Sequence, residues 1–141
     1  MKALSVKNPW ALLVAHGIKP IENRTWRTDF RGRIYIHASQ KPAFTELQSC
    51  LTYAQWNDIP EDKQRDMLIG RWPNSAIIGE VDIVDCVLGH PSIWSEQTAV
   101  VLRKGIPTEV PVYNWVLETP VLYDRPILNV KGALSLWEYD R

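Results

Sequence analysis

Cysteine and histidine are scarce in this sequence, and neither is spaced for metal binding. The 141 residues include 2 cysteines and 3 histidines, with no Cys-x-x-Cys or His-x-x-x-His pattern among them. A Gly-x-Ser-x-Gly elbow and a glycine-rich phosphate-binding loop are also absent from the sequence. These absences argue against a metal site, against a serine nucleophile in such an elbow and against a phosphate site built by such a loop. We therefore expect no metal and no cofactor.

Long hydrophobic runs are missing as well. The early apolar run from Trp10 to Val14 is too short for the core of a signal peptide, and polar residues follow it. No other stretch approaches the length of a membrane span. Cys50 and Cys86 have apolar neighbours, which favours reduced, buried thiols. The sequence thus predicts a cytoplasmic protein with no membrane partner.

The chain also lacks an excess of either charge, but its charges are unevenly distributed. The formal net charge is 0, whereas residues 1–41 hold eight basic and two acidic residues, a local charge of +6. Overall neutrality argues against tight, sequence-independent binding to duplex nucleic acid. The basic segment either forms an anion-binding face or pairs with the acidic remainder. If it forms such a face, Arg27, Arg31 and Arg33 should flank the mouth of a cleft.

The residues that are present indicate one globular domain. Hydrophobic residues make up 45% of the chain, enough to build a core without disulfides or metals. The 7 tryptophans must either pack in that core or stack on a ligand. Apolar alternation predicts strands, with the clearest at residues 33–38, 76–84 and 133–138 and others at 2–6, 99–103 and 112–117.

Helices are predicted at fewer places. Asn8 as N-cap, Pro9 in the first turn and Gly17 after the end predict a short helix over residues 9–16. A second helix should follow Pro42, with Phe44, Leu47, Cys50, Leu51 and Ala54 at helical spacing, and a shorter one should follow Pro60. The prolines at 107, 111, 120 and 126 indicate connections or edges. This irregular order favours an α+β, mainly β fold, a small closed or nearly closed barrel with short helices packed outside it.

The segment Gly-Ile-Lys-Pro-Ile-Glu-Asn-Arg-Thr-Trp, residues 17–26, is unusual for a strand. Glu22, Arg24 and Trp26 alternate onto one side, and neither side is a continuous apolar row. One interpretation is a surface ion pair between Glu22 and Arg24 on a structural strand. The other is a charged row that faces a cleft, where a ligand replaces the missing core contacts.

Several motifs occur in a distinctive order along the chain. They are Pro9-Trp10-Ala11, Gly17-x-Lys19-x-x-Glu22-x-Arg24, Trp26-x-Thr28-x-x-Arg31-Gly32, His37-Ala38-Ser39, Gly79-Glu80-Val81 with Asp85-Cys86, and Lys131-Gly132-Ala133-Leu134-Ser135-Leu136-Trp137. Together they resemble the ASCH family, the activating-signal-cointegrator homology domain. The resemblance implies a PUA-like barrel, a single domain over residues 1–141, and a helical insert at about 42–70.

The resemblance also implies a function and a site. ASCH domains are thought to bind nucleic acid, so the expected partner is RNA, another single-stranded nucleic acid or a modified nucleotide, held in a cleft lined by the Gly-x-Lys-x-x-Glu-x-Arg segment. Arg24 could contact a phosphate or carbonyl and Glu22 an exocyclic amine. The expected ligand-binding residues are Lys19, Glu22, Arg24, Trp10, Trp26, Arg31, His37 and Ser39.

Two alternatives remain at this point. Some bacterial members resemble amidohydrolases of acylated cytidines, and ribonuclease activity has been proposed for others. In the amidohydrolase-like members a threonine stands where this chain has Glu22. Hydrolysis would then require Glu22 as a general base on water and Lys19 as an oxyanion-stabilising cation. The third possibility is a protein-interaction module, which a large exposed apolar patch would support.

Overall fold

The computed structural model describes residues 1–43, 50–70 and 72–141. The elements, in chain order, are β1 (Lys2–Val6), α1 (Trp10–Ala15), β2 (Ile21–Arg24), β3 (Gly32–Ala38), α2 (Tyr53–Asp58), α3 (Glu61–Ile69), β4 (Ala76–Val87), β5 (Thr98–Arg103), β6 (Ile106–Pro111), β7 (Tyr113–Ile127) and β8 (Leu136–Glu138). The expected α+β, mainly β architecture is confirmed.

Six strands form one curled, half-barrel sheet in the order β2-β7-β4-β3-β1-β8. The β1–β3 pair is parallel, and the other neighbours in this sheet are antiparallel. Helix α1 packs against β3, β4 and β7. Strands β5 and β6 form a separate two-stranded sheet. This arrangement agrees with a PUA-like fold, with β2 and β8 at the edges of the half-barrel.

The core explains why α1 and β2 are held firmly. Val14 of α1 is buried with Ile34, Ile36 and Trp115 of the sheet. Leu13 and Ile21 are buried in a second cluster that includes Ile59, Met67 and Trp94. Ile21 therefore faces the apolar interior. Because side chains alternate along a strand, Glu22 and Arg24 point to the opposite side of β2.

Strand β6 was not predicted and β7 is longer than predicted, although their prolines lie at unpaired edges, one of the two positions expected for them. Strand β6 contains Pro107 and Pro111, which a two-stranded sheet tolerates because each of its strands has an unpaired edge. Strand β7 continues through Pro120 and Pro126. In the described part of the chain, β2 pairs with β7 only as far as Val116, so both prolines lie where one side of β7 has no strand partner.

The predicted strand at 133–138 is shortened to β8, residues 136–138. Residues 133–135 instead lie in the β7–β8 loop, and Ser135 has a positive φ of 58°. Helix α1 is close to its predicted range, but its N-cap is Pro9 and not Asn8. The Asn8 side chain accepts a hydrogen bond from Leu12 N at 3.2 Å.

The predicted helical insert is only partly described. Phe44 and Leu47 lie outside the described residues. Thr52 begins α2 with a capping box, and α3 follows Pro60, as expected for that proline, but it is the longer of the two helices. The thiols Cys50 and Cys86 are half-buried rather than fully buried. Among the residues described, every helix is too short or too polar to cross a membrane.

A candidate ligand-binding cleft

A cleft of about 940 Å³ opens between β2, the start of α1, the end of β3 and the β7–β8 loop. Its lining residues are Ser5, Val6, Lys7, Trp10, Glu22, Asn23, Arg24, His37, Ser39, Gln40, Ala43, Ser75, Lys131, Gly132, Ala133, Leu134 and Ser135. A volume of this size is near the upper end for small-molecule sites. It can therefore hold a nucleotide-sized ligand.

The unusual β2 strand supplies the charged floor of the cleft. Arg24 Nη2 donates to Glu22 Oε2 at 2.9 Å and to the backbone carbonyl of Ser5 at 2.9 Å. Glu22 Oε1 also accepts a hydrogen bond from Asn23 N at 3.1 Å. Both interpretations of the strand thus apply in part, because Glu22 and Arg24 form an ion pair and that pair lines a cleft. Glu22 is buried, whereas Arg24 is partly exposed.

Lys19 lies beside this pair and is almost completely buried. Its Nζ is 3.5 Å from Glu22 Oε1, donates to the backbone carbonyl of Ile21, and lies 5.6 Å from the centre of the Trp10 ring. Lys19 is not among the residues that line the cleft. Its charge therefore lies behind Glu22 and Trp10, which separate it from the cleft.

The ionisation of the floor follows from these contacts. Burial lowers the pKa of Lys19, although the neighbouring Glu22 carboxylate opposes the shift. Burial alone would raise the pKa of Glu22, but Lys19, Arg24 and the hydrogen bond from Asn23 outweigh it and hold this pKa below its usual value. Glu22 is consequently a stable carboxylate at neutral pH and a weak general base.

His37 and Ser5 form a second polar pair in the cleft wall. His37 Nε2 is 2.7 Å from the carbonyl oxygen of Val130, which can only accept, so Nε2 carries the proton. His37 Nδ1, 2.9 Å from Ser5 Oγ, then accepts from the serine hydroxyl. The indole Nε1 of Trp137 donates to the same hydroxyl at 3.1 Å. Burial lowers the pKa of His37, although the Val130 hydrogen bond opposes this, and the ring is neutral at neutral pH.

Gly132 covers the Ser5–His37 pair and leaves no room for a side chain. A Cβ at Gly132 would be 2.6 Å from Ser5 Oγ and 2.7 Å from His37 Cε1, closer than atoms can approach. With both its hydrogen bonds in use and glycine packed over it, Ser5 is a poor nucleophile despite its histidine neighbour. The pair instead anchors the β7–β8 loop against β1 and β3.

Five of the eight residues expected to bind ligand line this cleft: Trp10, Glu22, Arg24, His37 and Ser39. The other three lie elsewhere. Lys19 is buried behind Glu22, as described above. Trp26 packs edge-on against Trp115 at 4.6 Å between ring centres, because β2 ends at Arg24 and its alternation stops there. Arg31 Nη2 is 3.7 Å from Asp85 Oδ1.

The arginines expected at the cleft mouth form ion pairs within the protein. Arg27 pairs with Asp29 at 3.0 Å. Arg33 Nε is 2.8 Å from Glu80 Oε1, and its Nη1 is 3.0 Å from Asp82 Oδ1. Together with Arg31, these residues lie outside the cleft lining. Arg31 and Arg33 therefore pair with the acidic remainder of the chain, as one of the two charge hypotheses expects, whereas Arg27 pairs within the basic segment itself.

Other lining residues were not singled out as site residues from the sequence, chiefly Lys7, Lys131 and Leu134. The motif from Lys131 to Trp137 was the available signal, but it was interpreted as part of a strand. In the described residues no group of histidine, cysteine or acidic side chains is arranged to hold a metal ion.

Comparison with known proteins places these features in context. The model of the ASCH domain family matches residues 4–123. Human (Homo sapiens) activating signal cointegrator 1 is 37% identical over 90 residues, which is 60% of this chain and 14% of that protein. The mouse (Mus musculus) protein of the same name is 34% identical over 143 residues, 97% of this chain and 22% of that protein. This chain thus spans less than a quarter of the length of these relatives.

Proposed function

The chain belongs to the ASCH domain family, and from this premise we propose that its cleft binds single-stranded RNA or a nucleotide. Family membership supports a nucleic-acid-related or interaction role. The cleft supports the more specific proposal because it combines cations, an indole and polar side chains in a volume suited to a nucleotide.

The observation that carries the proposal is the fixed position of Arg24. Glu22 Oε2 and the Ser5 carbonyl hold its Nη2 from the protein side. Within the described part of the chain, the hydrogen bonds of Arg24 all use Nη2, so Nε and Nη1 keep their donors for a ligand. A guanidinium held in one position loses little entropy on binding and can donate to two oxygens of a phosphate or to a base carbonyl.

The surrounding charges suit a short, single-stranded ligand. Lys7, Arg24 and Lys131 line the cleft with one carboxylate, that of Glu22. Three cations in one cleft can neutralise a few phosphates, whereas the neutral chain as a whole is a poor match for a long duplex. Trp10 contributes an indole on which a base can stack.

The geometry is less suited to hydrolysis. A general base should have a pKa near the working pH, yet the pKa of Glu22 lies below its usual value. The cation expected to stabilise an oxyanion, Lys19, is buried and is not part of the cleft lining. Binding therefore accounts for the Lys19–Glu22–Arg24 arrangement better than catalysis does, because it requires neither a general base nor a cation that contacts the ligand at Lys19.

The direct test is a titration of the purified protein with three probes of defined structure. These are a five-nucleotide uridine RNA, the same backbone without bases, and a blunt RNA duplex, each followed by fluorescence anisotropy at several salt concentrations. We expect the single strand to bind more tightly than the duplex, with a salt dependence equivalent to about two or three phosphate contacts. Failure to bind the RNA, or a preference for the duplex, would overturn the proposal.

One observation favours an additional, protein-interaction role. Val100 and Leu102 lie on the same face of β5 and have 69% and 73% of their surfaces exposed. In the pairing of β5 with β6, Leu102 lies opposite Pro107, whereas Val100 lies opposite Glu109, so the face is apolar only in part. Both strands of the two-stranded sheet have an edge without a strand partner among the described residues. An exposed apolar row beside an unpaired strand edge is suited to pairing with an extended strand of a partner protein.

A further inference from the structure

The β7–β8 loop forms one wall of the cleft, and it is held in place at both ends. At its start, Val130 N donates to the Ser75 carbonyl at 2.8 Å, and His37 Nε2 donates to the Val130 carbonyl at 2.7 Å. At its end, Leu136 pairs with Leu4 in β1. Gly132 packs on the Ser5–His37 pair between these points. The position of this wall is therefore set by contacts with three strands or their flanks.

Leu134 lies in the middle of this anchored loop and is exposed over 92% of its surface. It also lines the cleft. Isolated exposed leucines are common on protein surfaces and need no explanation by themselves. This one differs because its loop is fixed and because few other large apolar side chains line the cleft beside it.

Few large apolar side chains are available to a ligand in the described lining of the cleft. Of the large apolar side chains in the described lining, Val6 is buried, whereas Trp10 and Leu134 have exposed surface. These two come from different elements, Trp10 from the start of α1 and Leu134 from the β7–β8 loop. The cations Lys7, Arg24 and Lys131 can bind phosphate or carbonyl groups, but they do not provide an apolar contact for the face of a base.

We propose that Leu134 is a specificity-determining residue that contacts the face of a nucleobase, so that the cleft selects ligands carrying a base over sugar phosphates without one. The inference rests on the proposed nucleic-acid-binding function and names the part of the ligand that this wall recognises. The flat apolar face of a base covers the Leu134 side chain, while the charged floor binds the polar groups. Covering part of an exposed leucine accounts for about a five- to tenfold gain in affinity.

The experiment compares the five-nucleotide uridine RNA with its abasic counterpart, which has the same phosphates. Wild type, Leu134→Ser and Leu128→Ser are titrated with both. Leu128 is a matched control because it lies near the start of the same loop, is exposed over 62% of its surface and does not line the cleft. We expect Leu134→Ser to lose about five- to tenfold in affinity for the RNA and to bind the abasic strand as wild type does. Leu128→Ser should match wild type with both ligands.

The outcomes separate this inference from the function on which it rests. If wild type binds neither strand, the proposed function fails and the inference fails with it. If wild type binds both strands equally, or Leu134→Ser binds the RNA as wild type does, nucleic-acid binding stands and the role of Leu134 is overturned. An equal loss for both strands would show that Leu134 supports the cleft generally and does not contact a base, which also overturns the inference.

Discussion

Replacing Glu22 with leucine is expected to lower the free energy of unfolding by about 3–5 kcal/mol, the usual cost of leaving one partner of a buried ion pair alone. Glu22 Oε1 is 3.5 Å from Lys19 Nζ, and Oε2 is 2.9 Å from Arg24 Nη2. Without the carboxylate, Lys19 loses its anionic partner in a site almost closed to solvent. Urea denaturation of wild type and variant measures the difference.

A second replacement in the same protein tests the cause. In the double variant Lys19→Met with Glu22→Leu, the buried cation is gone as well, and most of the lost stability should return. The surface control is Glu138→Leu, whose carboxylate pairs with Lys2 at 3.2 Å in an exposed position and should matter little. If Glu22→Leu is as harmless as Glu138→Leu, or if the double variant is no more stable than Glu22→Leu, the ion pair is not the source of the effect.

The dependence of this stability on pH has a definite sign. Because the pKa of Glu22 is lower in the folded protein than its ordinary value of 4.5, the unfolded state takes up a proton more readily at acidic pH. The contribution of Glu22 is complete above about pH 4.5 and is lost as the pH falls through the lowered pKa of the folded state. The Glu22→Leu variant should accordingly lose less stability on acidification than wild type.

Replacing Arg24 with alanine is expected to weaken binding of the uridine RNA by about 100-fold. The reason is that two charge-assisted hydrogen bonds to the ligand are lost, each contributing less than its full energy. Arg24→Lys keeps the charge but not the planar fork, and should weaken binding by about tenfold. Fluorescence anisotropy measures all three affinities, and urea denaturation checks that each variant remains folded, since Arg24 also pairs with Glu22.

Arg31→Ala is the matched control for the loss of a cation. Arg31 belongs to the same basic segment and was expected from the sequence to bind ligand, but it lies outside the cleft lining and faces Asp85. Its removal should change affinity by about twofold or less, because surface ion pairs contribute little. Equal losses for Arg24→Ala and Arg31→Ala would mean that the ligand contacts a broad basic face. An unaffected Arg24→Ala variant would place the binding site elsewhere.

The local alternation of apolar residues was sufficient to predict most of the strands. Strands β3 and β4 agree closely with the predicted ranges 33–38 and 76–84, because alternation of apolar residues directly reflects which side of a strand is buried. The prolines of β6 and β7 do lie at edges, one of the two predicted positions, but the pattern did not show that the strands continue through them. Whether a proline breaks a strand depends on whether its edge has a partner, and the identity of that partner is a tertiary property.

The sequence by itself also determined that β2 carries Glu22 and Arg24 on one side, since alternate residues of a strand must point the same way. It could not determine that Lys19 is buried beside Glu22, because that depends on packing of α1 and β2 into a shared apolar cluster. Similarly, the sequence contains the motif from Lys131 to Trp137, but only the tertiary structure joins it to β2. Val130 is 93 residues from His37 along the chain, and their hydrogen bond fixes the loop in the cleft wall. Local propensity carries no information about contacts at that separation, because they form only when the sheet brings β1, β3 and β8 together.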